Sequence, residues 1–162
     1  MKQHVTFILV LVLYQLNGQA NYGIPPQNSL PEKLKDLTVA IEVMHFPKEN
    51  DPIKIGDSYY WKHATAILCK SNEITITEFG AYLFFNDKWN LRKTYGLKDL
   101  DKNFGTKKQV MQQGQPYVWA DNWRVEKQLF GGWAMWYFIG RTPNGNTVCG
   151  YASINTTSNL LN

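Results

Sequence analysis

The sequence predicts a mainly β, or α+β, domain: a curved antiparallel sheet or small barrel of about seven strands with one or two short helices. Three observations carry that expectation. Trp133 to Ile139 is an uncharged run of aromatic and apolar side chains between Gly131-Gly132 and Gly140, the composition of a strand buried on both faces. Thr142-Pro143-Asn144-Gly145-Asn146 follows as a turn, with Pro143 preset for the second turn position and Gly145 free to adopt the left-handed conformation. Short apolar runs of strand length then recur along the chain, separated by Gly, Pro, Asn and Asp.

A three-residue loop pairs Thr142 with Asn146, and the register follows. Trp136 falls opposite Ala152, Phe138 opposite Gly150, Tyr137 opposite Tyr151 and Ile139 opposite Cys149. Large rings then face small residues on one side and aromatic pairs form on the other, which favours this register.

Before this hairpin the chain reads as follows. Met1 to Ala20 has Lys2, an apolar stretch from Val5 to Tyr14 and a small-residue site at Gly18-Gln19-Ala20. That is a secretory signal cleaved after Ala20, too short to span a bilayer, and it implies a secreted or periplasmic protein. Residues 21–28 form a flexible lead-in, residues 29–155 one β-rich domain, and residues 156–162 a frayed tail. Ser29-Leu30-Pro31-Glu32 matches a capping box, with Leu30, Leu34 and Leu37 as the apolar stripe of a short helix.

Thr38 to Phe46 reads as a strand ended by Pro47, and Pro47 to Asp57 as the longest loop. Tyr59 to Lys70 is a strand region with His63, Thr65, Ile67 and Cys69 on one face. Ser71-Asn72-Glu73 turns the chain. Ile74 and Ile76 then alternate in one phase and Phe79, Ala81, Leu83 and Phe85 in the other, which places a β-bulge near Gly80. Trp89 to Tyr95 returns as the partner strand. Leu97, Leu100 and Phe104 lie at helical spacing before Gly105, a short helix with a glycine stop. Two short strands, Lys107 to Met111 and Pro116 to Ala120, lead to a polar turn at Asp121-Asn122-Trp123-Arg124.

With Lys2 removed, the balance of 17 basic and 13 acidic residues falls to +3, too mild to mark a nucleic-acid binder. Cys69 and Cys149, both beyond the signal, are expected to form one disulfide that lays the Tyr59–Lys70 region beside the Thr147–Ile154 arm; two buried thiols are the alternative.

Catalytic and metal-binding patterns are absent. His45 and His63 lie far apart with no His-x-His or Cys-x-x-Cys, and there is no nucleophile elbow or phosphate-binding glycine loop, so no metal or cofactor is expected. A carboxylate pair, Glu78 with Asp121, is the one enzymatic arrangement left open, as a small glycan hydrolase would need.

Two features point to binding. Six tryptophans exceed what a core of this size needs, and Trp119, Asp121, Asn122, Trp123 and Arg124 form the candidate recognition site. Lys88, Arg92, Lys93, Lys98, Lys102, Lys107 and Lys108 form a basic stretch broken by Asp99 and Asp101. The reading is an exported, non-catalytic binding domain of inhibitor or immunity type for a protein or glycan partner. A glycan hydrolase, an envelope component and a small-ligand carrier are the alternatives.

Overall fold

The computed structural model describes residues 23–70 and 72–161; the expected signal segment, Asn21 and Tyr22 of the lead-in, Ser71 of its turn and Asn162 lie outside them. The described chain is mostly β, with the strands β1 (Thr38–Val39), β2 (Ile41–Phe46), β3 (Glu49–Asn50), β4 (Ile53–Ile55), β5 (Ser58–Trp61), β6 (Ala64–Cys69), β7 (Ile74–Phe85) and β8 (Lys88–Thr94). After helix α1 (Leu97–Phe104) come β9 (Val110–Met111), β10 (Tyr117–Trp119), β11 (Arg124–Glu126), β12 (Gly132–Arg141) and β13 (Thr147–Thr156).

The main sheet runs β1-β13-β12-β7-β8, with β3 added to β13 and β9 to β7. Two small sheets, β10-β6-β2 and β11-β5-β4, form a second layer, and the strands do not close into a barrel. Only Lys62 and His63 separate β5 from β6, and only residues 120–123 separate their partners β10 and β11. The two small sheets are therefore halves of one ribbon that bends where its ladder is interrupted.

The β12–β13 hairpin has the expected register, from Trp136↔Ala152 to Ile139↔Cys149. Its loop closes with Thr142 N donating to Asn146 O at 3.0 Å, and Gly145 takes φ +84°. One face of this sheet packs under the second layer and α1, where Phe79, Trp136 and Phe138 meet Ile67, Leu100 and Phe104. The other face, with Tyr82, Met135, Tyr137 and Cys149, lies under Leu30, Leu34 and Leu37. Burial on both faces is what the uncharged run Trp133–Ile139 required.

Several expectations need correcting. The segment after Ser29 keeps its leucine stripe against the sheet, but it forms only a 3-10 turn, Glu32–Leu34, with no side-chain cap. The phase change in β7 comes from an extra residue at Thr77, between the pairs Ile139↔Glu78 and Gly140↔Ile76, rather than at Gly80. Gly80 serves a different need: a Cβ there would lie 2.3 Å from Lys93 O and 2.8 Å from the Tyr137 ring. Residues 156–161, expected to fray, are tied down by Thr157 N to Asn50 O at 3.0 Å and Leu161 N to Pro52 O at 2.9 Å.

The disulfide is absent. Cys69 and Cys149 are free and buried, and they lie on opposite faces of the main sheet. Cys69 Sγ faces Met111 O at 3.5 Å, whereas Cys149 Sγ faces Leu37 O at 3.8 Å. Nor does β6 lie beside β13; its partners are β2 and β10. The sequence placed each cysteine in a strand but not the layer that strand would join. Burial pushes both thiols up, against the thiolate. Both are expected to resist a thiol reagent in the native protein and react in guanidinium, with reductant leaving the melting temperature unchanged. A thiol titrated in the native state would contradict this packing.

Candidate functional site

The bend in the ribbon gathers polar side chains where backbone pairing stops. Thr65 is fully buried, and its hydroxyl lies 2.7 Å from Asn122 Nδ2 and 3.0 Å from His45 Nδ1. His45 Nε2 lies 3.1 Å from Ala152 O. A carbonyl only accepts, so the His45 proton sits on Nε2 and Nδ1 accepts from Thr65. His63 lies beside it, the rings edge-on with centroids 5.7 Å apart. Its Nδ1 is 3.4 Å from Trp61 O and 3.5 Å from Asn50 Nδ2, while its buried Nε2 has no hydrogen-bond partner.

Burial lowers the pKa of both histidines. For His45 the Ala152 carbonyl opposes the shift; for His63 the neighbouring His45 adds to it, bringing His63 to about 4. Both rings are neutral at physiological pH. His63 lines a cavity of about 30 Å³ floored by Ala81, Ala134, Trp136 and Ile154 of the main sheet. Asn122, Trp123 and Arg124 line it from the second layer, and Arg92 and Tyr95 from the β8 side.

Arg92 is the extra residue of a bulge in β8, between Ala81↔Lys93 and Tyr82↔Leu91. A bulge re-aims its side chain, here toward β11. Arg92 Nη2 donates to Glu126 Oε1 at 3.1 Å, and Arg124 Nε lies 3.7 Å from the same oxygen. The Arg124 guanidinium also sits 3.7 Å from the Phe130 ring centroid.

On its outer side the same ribbon carries a row of apolar side chains. Val125 pairs with Tyr60, Tyr60 with Ile53, and Ile53 with Leu161, so the four share one face. Trp123, two positions before Val125, extends the row, and Lys62 Nζ lies 4.4 Å from its ring centroid. Trp123, Val125 and Leu161 are 42%, 45% and 52% exposed. An open groove of about 410 Å³ runs along Pro47, Ile53, Tyr60, Lys62 and Leu161.

The expected recognition turn is thus divided. Asn122 points inward, Arg124 joins the cavity wall, and Trp123 stands between cavity and solvent. Trp119 is half-buried among the rings of Tyr95, Phe104 and Trp136, and Asp121 is exposed. Of the basic stretch, Arg92 reaches the cavity. Lys88 and Lys93 lie along the edge strand β8, Lys98 and Lys102 on α1, and Lys107 and Lys108 after it, all exposed. Charge along a sheet edge keeps other strands from pairing with it.

Glu78 and Asp121 do not share a cleft. Glu78 accepts from Tyr137 Oη at 2.6 Å and from Lys33 Nζ at 2.6 Å, on the face covered by the N-terminal segment. Burial opposes its ionisation, but these two partners outweigh it and hold the carboxyl below its usual range. Asp121 follows β10, in the layer across the main sheet.

Comparison with protein-family models, curated proteins and solved structures gave no match to this chain. Among the described residues no group of three His, Cys, Asp or Glu is placed to hold a metal, and no helix is long and apolar enough to cross a membrane.

Sequence reasoning passed over His63, Thr65, Asn50 and Glu126 as site residues. One signal was present: the alternation His63, Thr65, Ile67, Cys69 put two polar side chains on an inward face. Such residues need partners, and Asn122 and Asn50 supply them.

Proposed function

We propose that this chain is a non-catalytic binding domain for a protein partner, exported to the secreted or periplasmic space, and that the outer face of the bent ribbon takes that partner. The observation that carries this reading is the cross-strand row Val125–Tyr60–Ile53–Leu161, continued by Trp123. Three of its members are large apolar side chains in water, on strands that fix their spacing. A grooved apolar surface with a tryptophan anchor beside branched aliphatic residues suits burial against another protein.

A glycan partner is less favoured by the same geometry. Sugars stack on an open aromatic face, and the Lys62 ammonium lies over the Trp123 ring. An inhibitor or immunity role is one form that protein binding takes. The separation of Glu78 from Asp121 weighs against the hydrolase alternative.

Immobilised protein should retain a protein partner from the source's extracellular or envelope fraction. Trp123→Ala and Val125→Asp should each release it while leaving the circular dichroism spectrum unchanged. The urea midpoint of each variant, measured alongside, separates loss of binding from loss of the fold. Equal retention of every partner by both variants would remove this face from the reading.

A further inference from the structure

The two layers fail to meet between β8 and β11. Among the described residues β8 pairs with β7 and β11 with β5, so each presents an unpaired edge to the opening. The Arg92–Glu126 ion pair spans it, and the Arg124 guanidinium approaches the same carboxylate oxygen. Two guanidinium groups therefore converge on one carboxylate at a cavity mouth. Behind them lie the apolar floor of Ala81, Ala134, Trp136 and Ile154 and the ring of His63, a residue 6% exposed whose buried Nε2 has no hydrogen-bond partner. Apolar walls with a few converging polar groups are the anatomy of a small-ligand pocket.

We propose that this opening is a binding site for a small hydroxycarboxylic acid. The ligand's carboxylate takes the place of Glu126 against Arg92 and Arg124, where guanidinium and carboxylate pair with charge assistance. Its hydroxyl reaches His63 Nε2. A hydroxyl both donates and accepts, so it serves His63 whether Nδ1 donates to Trp61 O or accepts from Asn50. Glu126 is the internal stand-in for the ligand. With about 30 Å³ the closed cavity holds roughly one water, so the ligand enters as β11 moves outward. Of the two strands that flank the opening, β11 has three residues and β8 seven, each bonded on one side, so β11 opens at the lower cost. Trp123 and β11 border both this site and the proposed protein-binding face, but Arg92, Arg124 and His63, which would hold the ligand, line the cavity rather than the outer row, so small-ligand binding is tested apart from the protein partner.

The test titrates the folded protein with para-hydroxyphenylacetate by calorimetry and follows the His63 ring nitrogens by NMR. Saturable binding is expected, with a shift at His63 Nε2. Phenylacetate, lacking the hydroxyl, and para-cresol, lacking the carboxylate, should each bind about tenfold more weakly or worse. Arg92→Ala should weaken binding by about tenfold or more, and Glu126→Gln should tighten it by a similar factor by removing the competitor. Absence of both heat and a His63 shift up to about 10 mM, a concentration that detects even millimolar affinity, would overturn the proposal. So would equal binding of all three probes. The His63 shift in the unsubstituted protein decides the matter even if a variant fails to fold.

Discussion

Gly150→Ala is expected to destabilise the fold by about 3 kcal/mol, the upper range for forcing atoms into a packed site. A Cβ at position 150 would lie 2.3 Å from Ile41 O and 2.5 Å from Ile41 Cβ. The contacts are with main-chain atoms and a Cβ, none of which moves with χ1, so no rotamer change relieves them. It arises because the N-terminal chain leaves the edge of β13 at Ala40, whose N–H reaches Cys149 O at 2.9 Å, and crosses over Gly150. The chain rejoins β13 at Lys48, whose carbonyl accepts from Asn155 N at 3.1 Å. Gly23→Ala is the control, since a Cβ there would meet only Asp87 Oδ1 at 3.8 Å and Phe84 Cε1 at 3.9 Å, ordinary contact distances. Urea unfolding of both should move the midpoint for Gly150→Ala alone, at unchanged slope. Equal midpoints would mean that the crossing is looser than this geometry.

The second large effect is acid destabilisation well above the range of ordinary carboxylates. Unfolded, His63 binds its proton near pH 6.5; folded, it does so only at about 4. Between those values the unfolded chain holds more protons, so lowering pH favours unfolding. The contribution is fully present above pH 6.5, falls as the pH drops, and is lost below about pH 4. The difference amounts to about 3 kcal/mol. His45, whose pKa is lowered by burial, works in the same direction. Glu78 and Asp101 have lowered pKa values and so lose their contributions as pH falls through those lower values, a separate and more acidic window. Unfolding free energies at pH 7.5, 6 and 5 should therefore decline steadily, and His63→Gln should flatten much of the slope. A flat profile from pH 7 to 5 would show that His63 is not held neutral by this packing.

How far the sequence could be read depended on whether local chemistry decided the outcome. The β12–β13 register was legible because large and small side chains alternate across the pair and Pro143 and Gly145 leave few ways to turn. Helix α1 was legible because Leu97, Leu100 and Phe104 share a face and Gly105 stops it, at φ +73°. The cysteines were not, because the face each one points to depends on which layer its strand joins. Nor was the site. His63 and Asn122 line one cavity, with Thr65 bonded to Asn122 and Glu126 paired to Arg92 at the cavity wall, only because two sheet fragments bend at one level, which no local pattern signals. The turn at residues 121–124 was found as a place of interest, yet Asn122, read there as part of a recognition site, is 3% exposed.

The way β13 is held has a kinetic consequence. Its edge is completed by residues more than a hundred positions earlier, with Thr38 against Val148 and Glu49 against Asn155. The hairpin it shares with β12 forms from neighbours, but the flanking parallel pairs close very long loops before any contact rewards them. Proteins dominated by such distant pairings fold in roughly milliseconds to seconds rather than microseconds. During that interval the edge of β13 stands open and the faces of the aromatic ribbon from Trp133 to Ile139 await their distant cover, which makes the hairpin the stretch a chaperone would have most reason to shield.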